Sequence, residues 1–249
     1  MFDEQLVRPD PELYGLIQQF VPVRIVNMSG VDVSLFQFDY DLTMAIMFLN
    51  ADEQVYSRYG GRDHQSAEKR ISMNGLKNTM RAVLAWHKSR SGASLPARPR
   101  QKMTPEDIIG ISPLPQGSSN CIHCHQVNEF QWRAQKRQGT FNPESLWGVP
   151  LPENVGLTMD VDHGNRVVAV APGSAADKAG IQAGDVLEVV NGVPTLSQAD
   201  VQWGLHRAPS EGRFAVQLRR DGQEQTVTLQ VARGWRRTNN IWRASVRRQ

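Results

Sequence analysis

Cysteine is scarce in this sequence of 249 residues: there are two, and both fall in one pentapeptide, Cys121-Ile122-His123-Cys124-His125. Two cysteines exclude a multi-bridge disulfide framework. With no second pair, they also leave a cysteine-rich zinc site short of ligands. Long apolar runs are missing too. None approaches the roughly 20 residues that a spanning helix requires, so no membrane span is expected. The opening Met1-Phe2-Asp3-Glu4-Gln5 is acidic and polar, unlike the start of a secretory leader. No G-x-S-x-G nucleophile motif occurs in the first 150 residues, and no glycine-rich loop that would cradle a phosphate is present.

Hydrophobic residues make up 40% and charged residues 21% of the chain, which is ordinary globular material. The length allows two domains with a small insert. The net charge is only +3, and its basic excess is local: Arg233, Arg236, Arg237, Arg243, Arg247 and Arg248 crowd the C-terminus. Such a tail can serve nucleic acid, but arginines that meet solvent or carboxylates account for this one, and no nucleic-acid partner is expected.

C-x-x-C-H is the attachment signature of c-type haem. Two intervening residues set the sulfurs at the separation of the haem vinyl groups, and the adjacent histidine reaches the iron. Covalent haem c is therefore the expected cofactor, held by Cys121 and Cys124 with His125 on the iron. A thiol–disulfide couple, a structural disulfide and part of a zinc site are the alternatives. Residues 112–120, before the motif, read as a loop, whereas a redox dithiol should follow a buried strand. His123 reads as a solvent-facing spacer. Met103, Met159, His87, His163 and His206 are candidates for a sixth iron ligand, and spacing singles out none of them.

Along residues 1–89, Leu13, Leu16, Ile17 and Phe20 share one helical face. Val21-Pro22-Val23-Arg24-Ile25-Val26 alternates as a strand. Residues 42–49 form a nearly continuous apolar run, as a central buried strand should. Residues 54–59 return as its hairpin partner, stopped by Gly60-Gly61. Met73, Leu76, Met80, Val83, Leu84 and His87 mark an amphipathic helix over 72–88. Residues 90–150 begin as a linker. Thr104-Pro105-Glu106-Asp107 then starts a helix, and a second helix is expected over 126–137 after the cysteine motif. Phe130, Trp132, Phe141 and Trp147 supply apolar bulk that suits either a haem cover or a small core.

The order helix–strand–(short helix)–strand–strand–helix over residues 1–89 resembles the C-terminal two-thirds of a thioredoxin fold. Thr43 stands where that family usually carries a cis-proline. The first strand and the redox C-x-x-C that should precede the first helix are absent. Over its whole length the chain looks like an exported family of thioredoxin-like plus PDZ-domain (seleno)proteins. In such families the redox pair can be selenocysteine. The gap fits either a degenerate, structural thioredoxin fold or a product whose leader and redox pair are encoded upstream of Met1; the resemblance implies a periplasmic or otherwise extracytoplasmic location and, in the second case, thiol or selenol oxidoreductase chemistry in the complete product.

The most specific long match covers residues 167–192. Pro172-Gly173-Ser174 turns the chain and caps a short helix, residues 186–190 form a buried strand, and Asn191-Gly192 is a hairpin signal. A longer helix over 197–207 and strands over 214–219 and 225–231, joined at Asp221-Gly222, complete the pattern. This resembles a bacterial PDZ domain, a module that adds an extended peptide to a sheet edge. The resemblance places the carboxylate-binding loop at Val155-Gly156-Leu157-Thr158. It places the groove between strand 157–161 and the helix carrying Val201 and Leu205, whose exposed apolar side chains would select the ligand's last residue. In the tail, Trp235-Arg236 and Trp242-Arg243 suit docking onto the body, or covering a haem edge while pairing a propionate.

The expected fold class is α/β plus α+β. An incomplete thioredoxin-like domain spans 1–89, a linker and C-x-x-C-H segment 90–150, a PDZ domain 151–233, and a basic Trp/Arg tail 234–249. The expected function is that of an extracytoplasmic redox protein carrying covalent haem and a PDZ module for a C-terminal or extended peptide of a partner. The alternatives are a thioredoxin-type oxidoreductase whose redox pair lies upstream, and a PDZ binding adaptor with a structural or zinc-binding C-x-x-C.

Overall fold

The computed structural model describes residues 10–89, 100–109 and 121–247. Helix α1 (Pro11–Ile17) starts where Asp10 accepts from Leu13 N at 2.9 Å, with Pro11 at a position that needs no N–H. Strands β1 (Ile46–Leu49) and β2 (Val55–Tyr59) form an antiparallel hairpin with Ile46 opposite Tyr59. Helix α2 (Met73–Ser89) lays Leu76, Met80 and Val83 on that hairpin, and Leu13 and Leu16 of α1 close the same core with Phe48, Tyr56 and Tyr59.

Three expectations for this part are corrected. Residues 21–26 make no strand. Val21 and Val23 are 91% and 80% exposed, and among the described residues no strand lies alongside. Pro22 has no N–H to offer a ladder, and alternation without a partner does not make a sheet. The run at 42–49 is a strand only from Ile46, since its one partner, β2, is five residues long. The short helix expected between these segments is replaced by turns.

Helices α3 (Pro105–Ile109) and α4 (Cys124–Arg137) pack beside a second small core of Met28, Val33, Tyr40, Ile122 and Val127. Two 3-10 turns, Pro143–Trp147 and Pro152–Val155, lead into the third part. There β3 (Leu157–Met159) pairs antiparallel with β4 (Val167–Val170). A four-stranded sheet follows in the order β6 (Val193–Pro194), β5 (Val186–Val190), β7 (Gly212–Arg220), β8 (Gln223–Val231). Helix α5 (Ala175–Lys178) is capped by Ser174 and α6 (Gln198–Arg207) by Ser197, each accepting a main-chain N–H at 3.1 Å. Asn191 and Asp221 take φ of 48° and 50° in the tight turns, the conformation these residue types tolerate. Val167, Leu187, Val201, Leu205, Leu218 and Leu229 fill the core between sheet and helices.

The tail docks on the body. Trp235 Nε1 donates to Pro209 O at 3.0 Å, and Arg236 donates to the carbonyls of Gly148 and His206 at 3.1 and 3.0 Å. Arg243, just before α7 (Ala244–Arg247), is buried against Asp39 at 2.6 Å and Asp41 at 3.5 Å and donates to Val149 O at 2.9 Å. Both guanidinium groups are thus committed to protein acceptors. Among the described residues no helix is long and apolar enough to cross a membrane.

Candidate functional site

The cysteine motif sits where residues 121–123 enter α4. Ile122 N donates to Asn27 Oδ1 and Ile122 O accepts from Met28 N, both at 2.8 Å, which pins the middle of the motif to the second core. The helix register then separates the two thiols. Cys121 is exposed, while Cys124 packs against that core with Phe130. Burial pushes the Cys124 thiol up from its ordinary value, so little thiolate exists near neutrality. Iodoacetamide at pH 7 is expected to alkylate Cys121 at least roughly 10-fold faster than Cys124, read by timed peptide mapping.

His125 extends along α4 toward Glu129. Its Nε2 is buried, has no hydrogen-bond partner among the described residues, and lies 3.7 Å from Glu129 Oε1. The His123 and His125 rings lie parallel with centroids 5.8 Å apart. Of the aromatics expected near the motif, Phe130 and Trp132 lie on α4, whereas Trp147 Nε1 donates to Thr238 O in the tail at 2.9 Å. Among the described residues no group of three or more His, Cys, Asp or Glu is placed to hold a metal ion.

The second site lies between β3 and α6. Gly156 ends the Pro152–Val155 turn in a left-handed conformation, φ 90°, and its missing side chain leaves room for Ser174. Ala171 N donates to Gly156 O at 2.8 Å and Asp160 N to Arg166 O at 2.9 Å. Alternate residues of β3 therefore face β4, and the main-chain groups of Leu157 and Met159 point to the opposite edge. Among the described residues no other segment makes a main-chain hydrogen bond to them.

The structure brings Val155, Leu157, Val201 and Leu205 together in one cluster, with Met159. It does not leave them exposed, which corrects the sequence expectation: all four are at most 2% exposed, and only Thr158 faces solvent. All four belong to the PDZ domain's own core, which runs from Val155 to Val231. Every residue of α6 from Asp200 to Leu205 is buried, more than one helical face can bury against a single core.

Residues from β2 cover the outer side of α6. Ser57 Oγ donates to Asp200 Oδ2 at 2.6 Å, Arg58 N to Asp200 Oδ1 at 2.9 Å, and Leu196 N to Asp200 Oδ2 at 3.1 Å. The Arg58 guanidinium lies 4.7 Å over the Trp203 ring. Complete burial pushes the Asp200 carboxyl up, against these donors, which favour its charged form. Asp200→Asn is expected to cost about 2 kcal/mol in urea denaturation, because an NH2 group then faces N–H donors. The sign with pH follows from the raised value. The folded chain holds this proton more tightly than the unfolded one, so wild-type stability falls as pH rises from the ordinary aspartate range through the raised value. Asp200→Asn lacks that slope.

Arg58 and Asp200 carry no mark in the sequence that assigns them to an interface. Ser197-x-x-Asp200 signals a helix cap and nothing more, and its partners lie more than 140 residues away along the chain.

Residues 166–220 match the PDZ domain family. The chain thus carries a PDZ domain, and it is similar to periplasmic serine endoprotease DegP. The protein of that name from Escherichia coli (strain K12) is 35% identical over 88 residues, 34% of this chain and 19% of that protein. A probable periplasmic DegP-like serine endoprotease of Marinomonas sp. (strain MWYL1) is 29% identical over 79 residues, 32% of this chain and 16% of that protein. The matches thus span about a fifth of these relatives' length. Among solved structures, the serine endoprotease from Yersinia pestis is 28% identical with a TM-score of 0.28, covering 31% of this chain and 28% of that one. The HtrA3 PDZ domain bound to a phage-derived ligand (FGRWV) is 25% identical with a TM-score of 0.24, covering 30% of this chain and 63% of that one.

Proposed function

We propose that this protein is a PDZ binding adaptor that takes the C-terminal or extended segment of a partner protein as an added strand on β3. The observation that carries this reading is the main-chain edge of Leu157 and Met159, which has no main-chain partner among the described residues, beside the left-handed turn at Gly156. An incoming strand would exchange hydrogen bonds with that edge, and N–H groups of the Val155–Thr158 loop would meet a terminal carboxylate. Val201 and Leu205 would form the wall for the last side chain. Relatives named as periplasmic proteases support an extracytoplasmic location. The test is fluorescence polarisation with a library of labelled C-terminal pentapeptides that includes Phe-Gly-Arg-Trp-Val. At least one is expected to bind, and its C-terminally amidated form to bind at least roughly 10-fold more weakly, since the charge-assisted carboxylate contact is lost. Equal binding of acid and amide forms throughout overturns the carboxylate-reading mode.

A second reading concerns the cysteine motif and is favoured by one observation, the buried His125 Nε2 without a hydrogen-bond partner among the described residues. An orphaned, solvent-poor imidazole nitrogen suits an iron ligand, and the exposed Cys121 leaves an open side for a ring. Cys121 and Cys124 would hold haem c and His125 would ligate it; when bound, the haem supplies one-electron transfer. Protein produced with the haem-attachment machinery is expected to keep its Soret band through acid–acetone extraction, and Cys121→Ser with Cys124→Ser to lose it. An unmodified mass in natively exported protein sinks this reading. The thioredoxin-like reading of residues 1–89 is supported by the β1–β2 hairpin packed under α2, and its oxidoreductase chemistry would require the redox pair upstream.

A further inference from the structure

The N-terminal part of the chain grips the PDZ domain at both ends of the peptide groove and along the helix that walls it. At the loop end, Arg70 Nη2 pairs with Glu153 Oε1 at 3.0 Å. The Arg70 side chain is only 10% exposed and its Nε is held by Asp63 at 3.1 Å, so the arm is braced from behind. At the far end, the first turn of α2 abuts the residues just after β3. Ser72 Oγ donates to Asp162 Oδ1 at 2.5 Å and Asn78 Nδ2 to Asp162 O at 3.0 Å. Gly75 comes so close that a Cβ there would stand 2.5 Å from Val161 O and 2.8 Å from Tyr59 Oη. Along α6, Ser57 and Arg58 bond to Asp200, and Ser197 Oγ donates to Arg58 O.

Residues 70–75 therefore run from the Glu153 end to the Val161 end, in the same direction as β3. A bound C-terminal peptide would run the other way, with its carboxylate at the loop. The segment meets both ends of β3 without adding itself to the sheet, since among the described residues it makes no main-chain bond to Leu157 or Met159. The segment is thus held at both ends of β3 while the β3 edge takes no main-chain partner among the described residues, an arrangement that suits a removable cover.

We propose that residues 57–78 are an internal competitor of the PDZ groove, so that the protein exists in a closed form that excludes peptide and an open form, with the N-terminal part withdrawn from β3, that binds it. The proposal rests on the peptide-binding reading above and adds its regulation. Linkage makes the competition reciprocal: whatever pulls residues 57–78 away raises peptide affinity, and bound peptide loosens that segment by the same factor. The apparent affinity of the wild type is reduced by the fraction of molecules that are open.

The experiment uses the full chain in three forms: wild type, Gly75→Val, and Arg70→Ala combined with Asn78→Ala. Valine at 75 wedges α2 off Val161. The double variant removes the Glu153 and Asp162 contacts together with the Arg70–Asp63 pair, and leaves the N-terminal core of Leu76, Met80 and Val83 intact, so folding is retained if the wedge proves too disruptive. Two measurements are made on each form: hydrogen exchange of the 72–78 amides, and polarisation with the pentapeptide library. The expected result is faster exchange at 72–78 in both variants and peptide binding roughly 10-fold or more tighter than in wild type. In wild type, saturating peptide should also speed exchange over 72–78. Released variants that bind no better than a wild type that binds well overturn the competition and leave peptide binding standing. Released variants that bind no peptide overturn both. Variants whose 72–78 exchange is unchanged overturn the claim that these contacts hold the cover.

Discussion

Arg243→Met should lower stability by about 4 kcal/mol, more than any other single change in the tail, because it strands two buried carboxylates. Asp39 and Asp41 are 8% and 6% exposed and face the Arg243 guanidinium at 2.6 and 3.5 Å. Asp41 also accepts from Ser245 N at 2.9 Å and Ser245 Oγ at 2.6 Å, and from Asn128 Nδ2 at 3.1 Å. These neutral donors cannot replace a buried positive charge. The midpoint of thermal unfolding should fall by on the order of 10 °C, given roughly 2–4 °C per kcal/mol for a chain of this size. Removing the carboxylates as well, with Asp39→Asn and Asp41→Asn added to Arg243→Met, should recover part of the loss, since the penalty lies in the uncompensated charges. A triple variant as unstable as the sum of its parts would show that the guanidinium matters through packing over Trp242, which it covers at 4.5 Å, and not through charge.

Gly156→Ala should cost about 3 kcal/mol and abolish peptide capture together. Two terms add here. At φ 90° an L side chain is strained by roughly 1–2 kcal/mol. The new Cβ would also overlap Ser174 Cβ and Oγ, and Ser174 cannot move freely because its Oγ caps α5 through Asp177 N. Overpacking of this kind adds roughly 1–3 kcal/mol. The loop would shift, and the Leu157 edge with it. Circular dichroism melts should report the stability loss, and polarisation the loss of pentapeptide binding at temperatures well below the new midpoint. A stable Gly156→Ala protein with unchanged affinity would separate the loop from recognition. Ser174→Ala is expected to behave differently, losing about 1 kcal/mol of capping while leaving the loop in place.

The two predictions draw on different kinds of information. The PDZ elements could be read along the chain because their determinants are local. Ser174 and Ser197 cap helices within three residues, Asn191 and Asp221 turn hairpins within two, and the apolar strand 186–190 announces its own burial. Helix α2 was likewise visible in the spacing of Leu76, Met80 and Val83. Residues 21–26 show where local pattern is insufficient. Val21, Val23 and Ile25 alternate as well as any strand, yet a strand exists only when another supplies the opposite half of its hydrogen bonds.

By itself, then, the sequence determined the PDZ domain, its caps and turns, and the one cysteine motif. Tertiary structure alone decided that Cys121 is open and Cys124 packed, that Arg243 crosses the fold to Asp39 and Asp41, and that Ser57 and Arg58 meet Asp200 on α6. The division has a physical basis. Helix periods, caps and turns are settled by neighbours within a few residues. The burial of a charge depends on groups that meet roughly 140 to 200 residues apart, and no short-range pattern encodes that meeting.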